Sequence, residues 1–261
     1  MKVFLSALEN NWHNASHYGN LVQKCLAKFG RDKPFRYNLL SYYYIEHTKA
    51  EEIADLIRDN SEEILVDSGA HSFQKGIKVD FGAFTKRYAD FIRRFDRPNV
   101  LGYFEMDVDN VLGYEAVLEL RKILTGISDK IIPVWHPNRG LSDFYSMCKE
   151  YAGRIVAITG FKGMEIQDEQ YVNFVKTAKR FGCKVHCLGM TRRKILDAVP
   201  FDFVDSSSWA QHAIRGRIGT AGKVTKEFSR THRVDVFSAA YIEGMKMQEH
   251  YYNKWRKVCQ D

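Results

Sequence analysis

Val100-Leu101-Gly102-Tyr103-Phe104-Glu105-Met106-Asp107 is a nearly unbroken apolar run that ends on a carboxylate. It shows no polar and apolar alternation, so a strand built from it must be covered on both faces, the condition of a parallel sheet sheathed in helices. Upstream the pattern occurs in Val3-Phe4-Leu5-Ser6-Ala7-Leu8, Tyr37-Asn38-Leu39-Leu40-Ser41-Tyr42-Tyr43 and Ile64-Leu65-Val66-Asp67. Downstream it returns in Ile131-Ile132-Pro133-Val134-Trp135-His136, Ile155-Val156-Ala157-Ile158-Thr159-Gly160, Lys184-Val185-His186-Cys187-Leu188-Gly189-Met190 and Phe201-Asp202-Phe203-Val204-Asp205.

Helical faces separate these runs, with apolar residues at i, i+3 and i+4: Tyr18, Leu21, Val22 and Cys25; Phe84, Tyr88, Phe91 and Ile92; Tyr171, Phe174, Val175 and Ala178. Eight buried strands, each followed by a helix-length segment, predict a (β/α)8 TIM barrel with a C-terminal helical extension. The alternative is an open doubly wound sheet. It lacks its usual mark, since no GxGxxG turn follows the first run and Ser6 to Asn14 contains no glycine.

The 261 residues are 45% apolar and 27% charged, enough for one substantial core, and no repeat or proline-rich linker divides them. Residues 1–261 therefore form one expected domain, with 210–261 as a helical, basic extension. No apolar window reaches membrane-spanning length, and Glu9 interrupts the opening run too early for a signal-peptide core. A soluble, cytoplasmic protein is expected. The cysteines Cys25, Cys148, Cys183, Cys187 and Cys259 are odd in number and scattered, which suits reduced, mostly buried thiols.

No cofactor and no metal are expected from these patterns. No CxxC pair supports structural zinc, strand one lacks the HxH pair of a binuclear hydrolase, and no CxxxCxxC triad supports radical chemistry. The net charge of +7 favours an anionic partner. Its densest positive stretch runs through Arg215, Arg217, Lys223, Lys226, Arg230 and Arg233, opposed by Glu227 alone. Such a run can solvate helix exteriors or contact phosphates.

Barrel enzymes carry their reactive groups at the C-terminal strand ends. Here three ends bear carboxylates: Asp67, Asp107 and Asp205. Any one of them can cap the next helix. Asp67 fits that role poorly, because the helical pattern after it begins only near Phe81. Two carboxylates at one sugar can divide the labour, one attacking the anomeric carbon and the other managing the proton of the leaving group. A third can accept hydrogen bonds from the N1–H and amine edge of a guanine-like base. Spacing alone leaves these roles open, and Asp202 competes with Asp205, although residues three apart cannot point the same way on a regular strand.

The order of these segments resembles the tRNA-guanine transglycosylase superfamily, and most closely its short phage-type members that place 7-deazaguanine bases in DNA. Asp67-Ser68-Gly69 resembles the family's DSG signature, Met106-Asp107 its base-recognising Asp, and Thr159-Gly160-Phe161-Lys162-Gly163 its Gly-Gly loop. Leu188-Gly189-Met190 resembles its pocket wall, and Val204-Asp205-Ser206-Ser207-Ser208-Trp209-Ala210 is similar to its FDSxSYA nucleophile motif. The likeness runs from about Leu65 to Ala210.

The resemblance implies Asp205 as nucleophile on C1′ and Asp67 as general acid/base. It implies a base held by Ser68, Asp107, the Gly160 backbone, Gly189, Met190, Trp135 and His136, with His71 or Phe73 as the stacking ring. The partner it implies is DNA, with tRNA second, together with a 7-deazaguanine base such as preQ0 or preQ1; for a phage-encoded protein the compartment is the host cytoplasm. Arg192, Arg193, Arg215, Arg217 and Lys223 are the expected backbone contacts. Three departures stand out. Ala70-His71-Ser72-Phe73 replaces the GF of the family's DSGGFQ, Trp135-His136 stands where the family has a glutamine, and the Cys/His zinc cluster of tRNA-acting members is missing. A non-catalytic nucleic-acid-binding subunit is the reading from another class, and retention of both Asp67 and Asp205 argues against it. His136 as a rim histidine, His186 as structural, and Trp135 and Met190 as core residues are the plain alternatives.

Overall fold

A computed structural model describes residues 1–9, 15–75, 79–160, 163–218 and 222–259. Nine parallel strands form one sheet: β1 Lys2–Ser6, β2 Phe35–Ser41, β3 Ser61–Asp67, β4 Val100–Phe104, β5 Ile131–Ile132, β6 Val134–Trp135, β7 Ile155–Ile158, β8 Lys184–Cys187 and β9 Phe203–Ser206. Their order, β5-β4-β3-β2-β1-β9-β8-β7-β6, wraps around, because β5 and β6 are the two halves of one stave. This is the TIM-barrel arrangement.

The fifth apolar run was expected as one strand, and Pro133 divides it, since proline has no N–H to give to a ladder. The break is secured from both sides. Glu105 N–H donates to Ile132 O at 3.1 Å, and Ala157 N–H donates to Pro133 O at 2.9 Å. Glu105 Oε1 then accepts the Val134 N–H at 2.7 Å. That carboxylate is fully buried against the guanidinium of Arg121, on the helix Tyr114–Thr125.

Alternation along the strands sorts side chains into two layers. Phe4, Leu39, Leu65, Phe104, Val134, Ala157 and Phe203 meet inside the barrel. Their neighbours Val3, Leu5, Leu40, Ile64 and Val66 face the helices, where Phe35, Phe84, Tyr88 and Phe91 complete the outer core. Helix Phe81–Phe95 starts where the periodicity placed it, with Asp80 Oδ1 accepting the Ala83 N–H at 2.9 Å.

The chain beyond β9 is only partly an extension. A short helix Ser208–Ile214, a two-stranded ribbon (Arg217–Ile218 with Gly222–Lys223) and a helix Lys226–Thr231 lead into the long helix Arg233–Trp255. That last helix packs on β1 and β2 as an outer helix of the barrel. Tyr241 donates to Asn38 Oδ1 at 2.8 Å, and Gln248 Nε2 donates to the carbonyls of Val3 and Tyr37 at 2.8 and 2.6 Å. All five cysteines are free, and all but Cys259 are buried. Among the described residues no helix is long and apolar enough to cross a membrane.

Candidate functional site

The inward layer continues past the apolar residues into polar ones at the C-terminal mouth. Two residues beyond Phe4, Leu39, Leu65, Val134 and Phe203 stand Ser6, Ser41, Asp67, His136 and Asp205. The same parity turns Asp202 away, and it lies at the opposite end of the barrel, accepting the Val185 N–H at 2.8 Å while its carbonyl accepts from the Lys2 N–H. Asp205 is therefore the carboxylate of the eighth stave that reaches the mouth.

Three donors hold Asp205. Gly189 N–H reaches Oδ1 at 2.8 Å, His186 Nε2 reaches the same oxygen at 3.0 Å, and Ser6 Oγ reaches Oδ2 at 3.2 Å. His186 is fully buried between the rings of Phe4, Phe104 and Phe203. The plain reading as a structural histidine understates it, because it fixes the orientation of the acid above it.

Asp67 caps no helix. Its carboxylate accepts backbone N–H groups of Gly69 and Ser68, and burial pushes its pKa up to about 7, with the charges of Asp205 and Asp107 acting in the same direction. Asp67 and Asp205 thus share the inward parity at the C-terminal mouth, and Asp107 stands at the end of the strand next to that of Asp67. Ser68 is buried, and its hydroxyl donates to Glu105 O at 2.9 Å, so it braces the loop and does not face the mouth as a base contact.

Asp107 pairs with His136 Nε2. Beside them Asp109 receives Arg139 Nε at 2.7 Å, and Arg139 also donates to Val134 O at 2.7 Å. One ligand atom each from Asp107, Asp109 and His136 falls within 4.8 Å of the others, a spacing a cation could bridge. The guanidinium already set against Asp109 and the imidazole against Asp107 make this a hydrogen-bonded network first.

Two expected base contacts sit elsewhere. Trp135 has the outward parity, packs on Phe144 and Phe174 and donates Nε1–H to Gly140 O at 3.0 Å, so it belongs to the outer core. Phe73 is 2% exposed, locked edge-on among Tyr43, Phe81 and Phe84, and has no free face for a base. The side chain of His71, the other candidate ring, lies outside the described residues, as do Phe161 and Lys162.

A cleft of about 720 Å³ opens between the loops after β7 and β8, with Gly160, Ile166, Tyr171, Leu188, Gly189 and Met190 among its walls. A Cβ on Gly160 would come within 3.1 Å of Glu165, Ile166 and Met164 backbone atoms, so the loop is packed closely against Gly160. Arg192 also lines this cleft but is bound to Asp168 and to the Tyr171 hydroxyl, which removes it from the free cations. Arg193, Arg215, Arg217 and Lys223 are exposed. Arg215 and Lys223 share a second cavity, of about 600 Å³, with Arg230 and Arg233.

Glu9 is the residue that the sequence did not single out for the site. It is fully buried at the mouth, with Oε1 accepting the Ser41 N–H at 3.0 Å. A charged residue just past the end of an apolar run was the available signal.

No protein-family model matches the sequence, and no curated protein matches it. Among solved structures, a mutant tryptophan synthase α-subunit from the hyperthermophile Pyrococcus furiosus is similar over 92% of this chain and 96% of its own, at 13% identity and a TM-score of 0.50. A second mutant of that subunit gives 15% identity and a TM-score of 0.49 over the same shares. The likeness is one of fold, a TIM barrel.

Proposed function

We propose that this chain is a base-exchange transglycosylase that replaces guanine in DNA with a 7-deazaguanine derivative. The observation that carries the reading is the contrast between two carboxyls at the barrel mouth. Asp205 is fixed as an acceptor by three donors, whereas burial keeps Asp67 protonated up to about pH 7. A nucleophile and a proton donor need that difference.

In this mechanism an Asp205 oxygen attacks C1′ of the deoxyribose. The C1′–N9 bond breaks, its electron pair leaves with guanine, and Asp67 delivers a proton to the departing base. The 7-deazaguanine then enters, Asp67 takes its N9 proton, and N9 displaces Asp205 from C1′. Two displacements retain the configuration of the sugar. Gly189, His186 and Ser6 keep the nucleophile in line throughout.

Asp107, oriented by His136, is the acceptor for the N1–H and amine edge of either base. The Gly160 backbone and Met190 form the cleft wall, and His71 supplies the stacking ring. The cations around Arg215 and Lys223 hold phosphates beside a flipped nucleotide. Exchange of labelled guanine tests the reading, with duplex DNA, single-stranded DNA and tRNA offered in parallel. Incorporation or release of label in DNA, abolished in Asp205→Ala, is the expected result. Label exchange in tRNA alone would move the activity to that polymer, and no exchange in any of the three would overturn it.

A further inference from the structure

The wall behind Asp67 contains a carboxyl that the exchange mechanism does not use. Glu9 is fully buried, and among the described residues the groups acting on its carboxyl are the Ser41 N–H, its own N–H and Asp67. One of its oxygens accepts the Ser41 N–H at 3.0 Å, while Oε2, also buried, has no hydrogen-bond partner. Ser41 ends β2 directly in register with Asp67 at the end of β3, and its hydroxyl is likewise buried and unpartnered.

The loop after Asp67 is pressed onto the same spot. Gly69 has a φ of +80°, and a Cβ there would lie 2.9 Å from Ser41 Oγ and 2.2 Å from Tyr43 Cβ. Glu9, Ser41 and the Asp67-Ser68-Gly69 turn thus form one packed unit with spare acceptors and no positive charge inside it. Two carboxyls enclosed in this way cannot both ionise freely.

We infer that Glu9 and Asp67 form a coupled carboxyl pair that shares one proton, so that ionisation of either holds the proton on the other and Asp67 stays a proton donor until guanine leaves. Glu9 is a positioning residue, since it acts through Asp67. Its own pKa is pushed up to about 7, by burial first and with the charge of Asp67 adding to it. The other titratable groups around Asp67 are Asp205, Asp107 and Tyr88, with His186 and His136 bonded to the first two. Asp205 and Asp107 each have an imidazole as hydrogen-bond partner, whereas Glu9 Oε2 is buried with no partner. The catalytic meaning rests on Asp67 serving as general acid/base, and the coupling itself does not.

The test is a ¹³C-carboxyl NMR titration of the whole chain, comparing wild type, Glu9→Gln and Asp67→Asn. Glutamine keeps the acceptor for the Ser41 N–H and removes the charge. The Asp67 midpoint should fall by about half a pH unit or more in Glu9→Gln, and by linkage the Glu9 midpoint should fall by the same amount in Asp67→Asn. Midpoints unmoved by either substitution would overturn the pair. The Asp67→Asn arm decides alone if Glu9→Gln fails to fold. In guanine exchange, the alkaline limb of the rate profile should move to lower pH in Glu9→Gln, a uniform drop with the limb in place being the mark of a merely structural residue. Absence of exchange in wild type with the NMR coupling intact would remove the proposed reaction and leave the pair standing.

Discussion

Gly189 gives its backbone N–H to Asp205 Oδ1 at 2.8 Å from a left-handed φ of +64°. The residue expected to line a pocket wall therefore also holds the candidate nucleophile. Gly189→Ala must strain the backbone by about 1 kcal/mol or release the hydrogen bond. The expected result is a chain that still folds, melts slightly lower and exchanges guanine roughly 10-fold more slowly at saturating DNA, as for other disturbances of nucleophile orientation. Unchanged turnover would show that the Gly189 donor is dispensable.

Asp67 makes stability depend on pH in a stated direction. Its folded pKa, about 7, lies above that of an exposed aspartate, so folding takes up a proton between the two values. The stability that this proton provides is complete below about pH 4 and is lost as pH rises through 7. Asp67→Asn removes the loss. The variant should be more stable than wild type by roughly 1–3 kcal/mol at pH 8, with the gap closing towards pH 5. Thermal melts at the two pH values measure it, and a gap that is equal at both would contradict the assignment.

Arg121 is the counter-charge for Glu105, whose carboxylate also holds the Val134 N–H beside Pro133. Arg121→Met leaves that acid buried and unpaired, which should cost about 3–5 kcal/mol. The double variant Arg121→Met with Glu105→Gln should recover part of the loss, because the stranded charge is gone. Denaturant melts of the three proteins check this, and a neutral single variant would show that water reaches Glu105.

The barrel was legible in the sequence because its strands are apolar on both faces, and the i, i+3/i+4 faces marked the helices between them. Strand parity also separated Asp205 from Asp202, and the structure puts them at opposite ends. Parity applied to the fifth run would have turned Trp135 outward as well, but its place beside His136 drew attention to the pair as a unit. Phe73 could not be sorted by any such rule, since it lies in a 3-10 turn, Ala70–Lys75, whose packing on Tyr43, Phe81 and Phe84 is tertiary. Glu9 and the ion pair on Arg192 were illegible for the same reason: burial and partner choice come from segments distant in sequence.

The free cations and the engaged one should separate in DNA binding. Arg215→Ala with Lys223→Ala should weaken binding and lower the salt slope by about 1 for each phosphate no longer neutralised. Arg192→Ala should do far less, because Asp168 already neutralises that side chain. Titration of a fluorescent duplex at several salt concentrations reads both, and an Arg192 effect as large as the double variant would reverse the ranking.

Base exchange by this route passes through an ester between Asp205 and the sugar. The most direct measurement is to incubate the protein with DNA while withholding any entering base, quench in denaturant, digest, and map the nucleotide adduct by mass spectrometry. An adduct on the peptide at Asp205, absent in Asp205→Asn, is expected. Guanine exchange that proceeds with the adduct on another residue would contradict it.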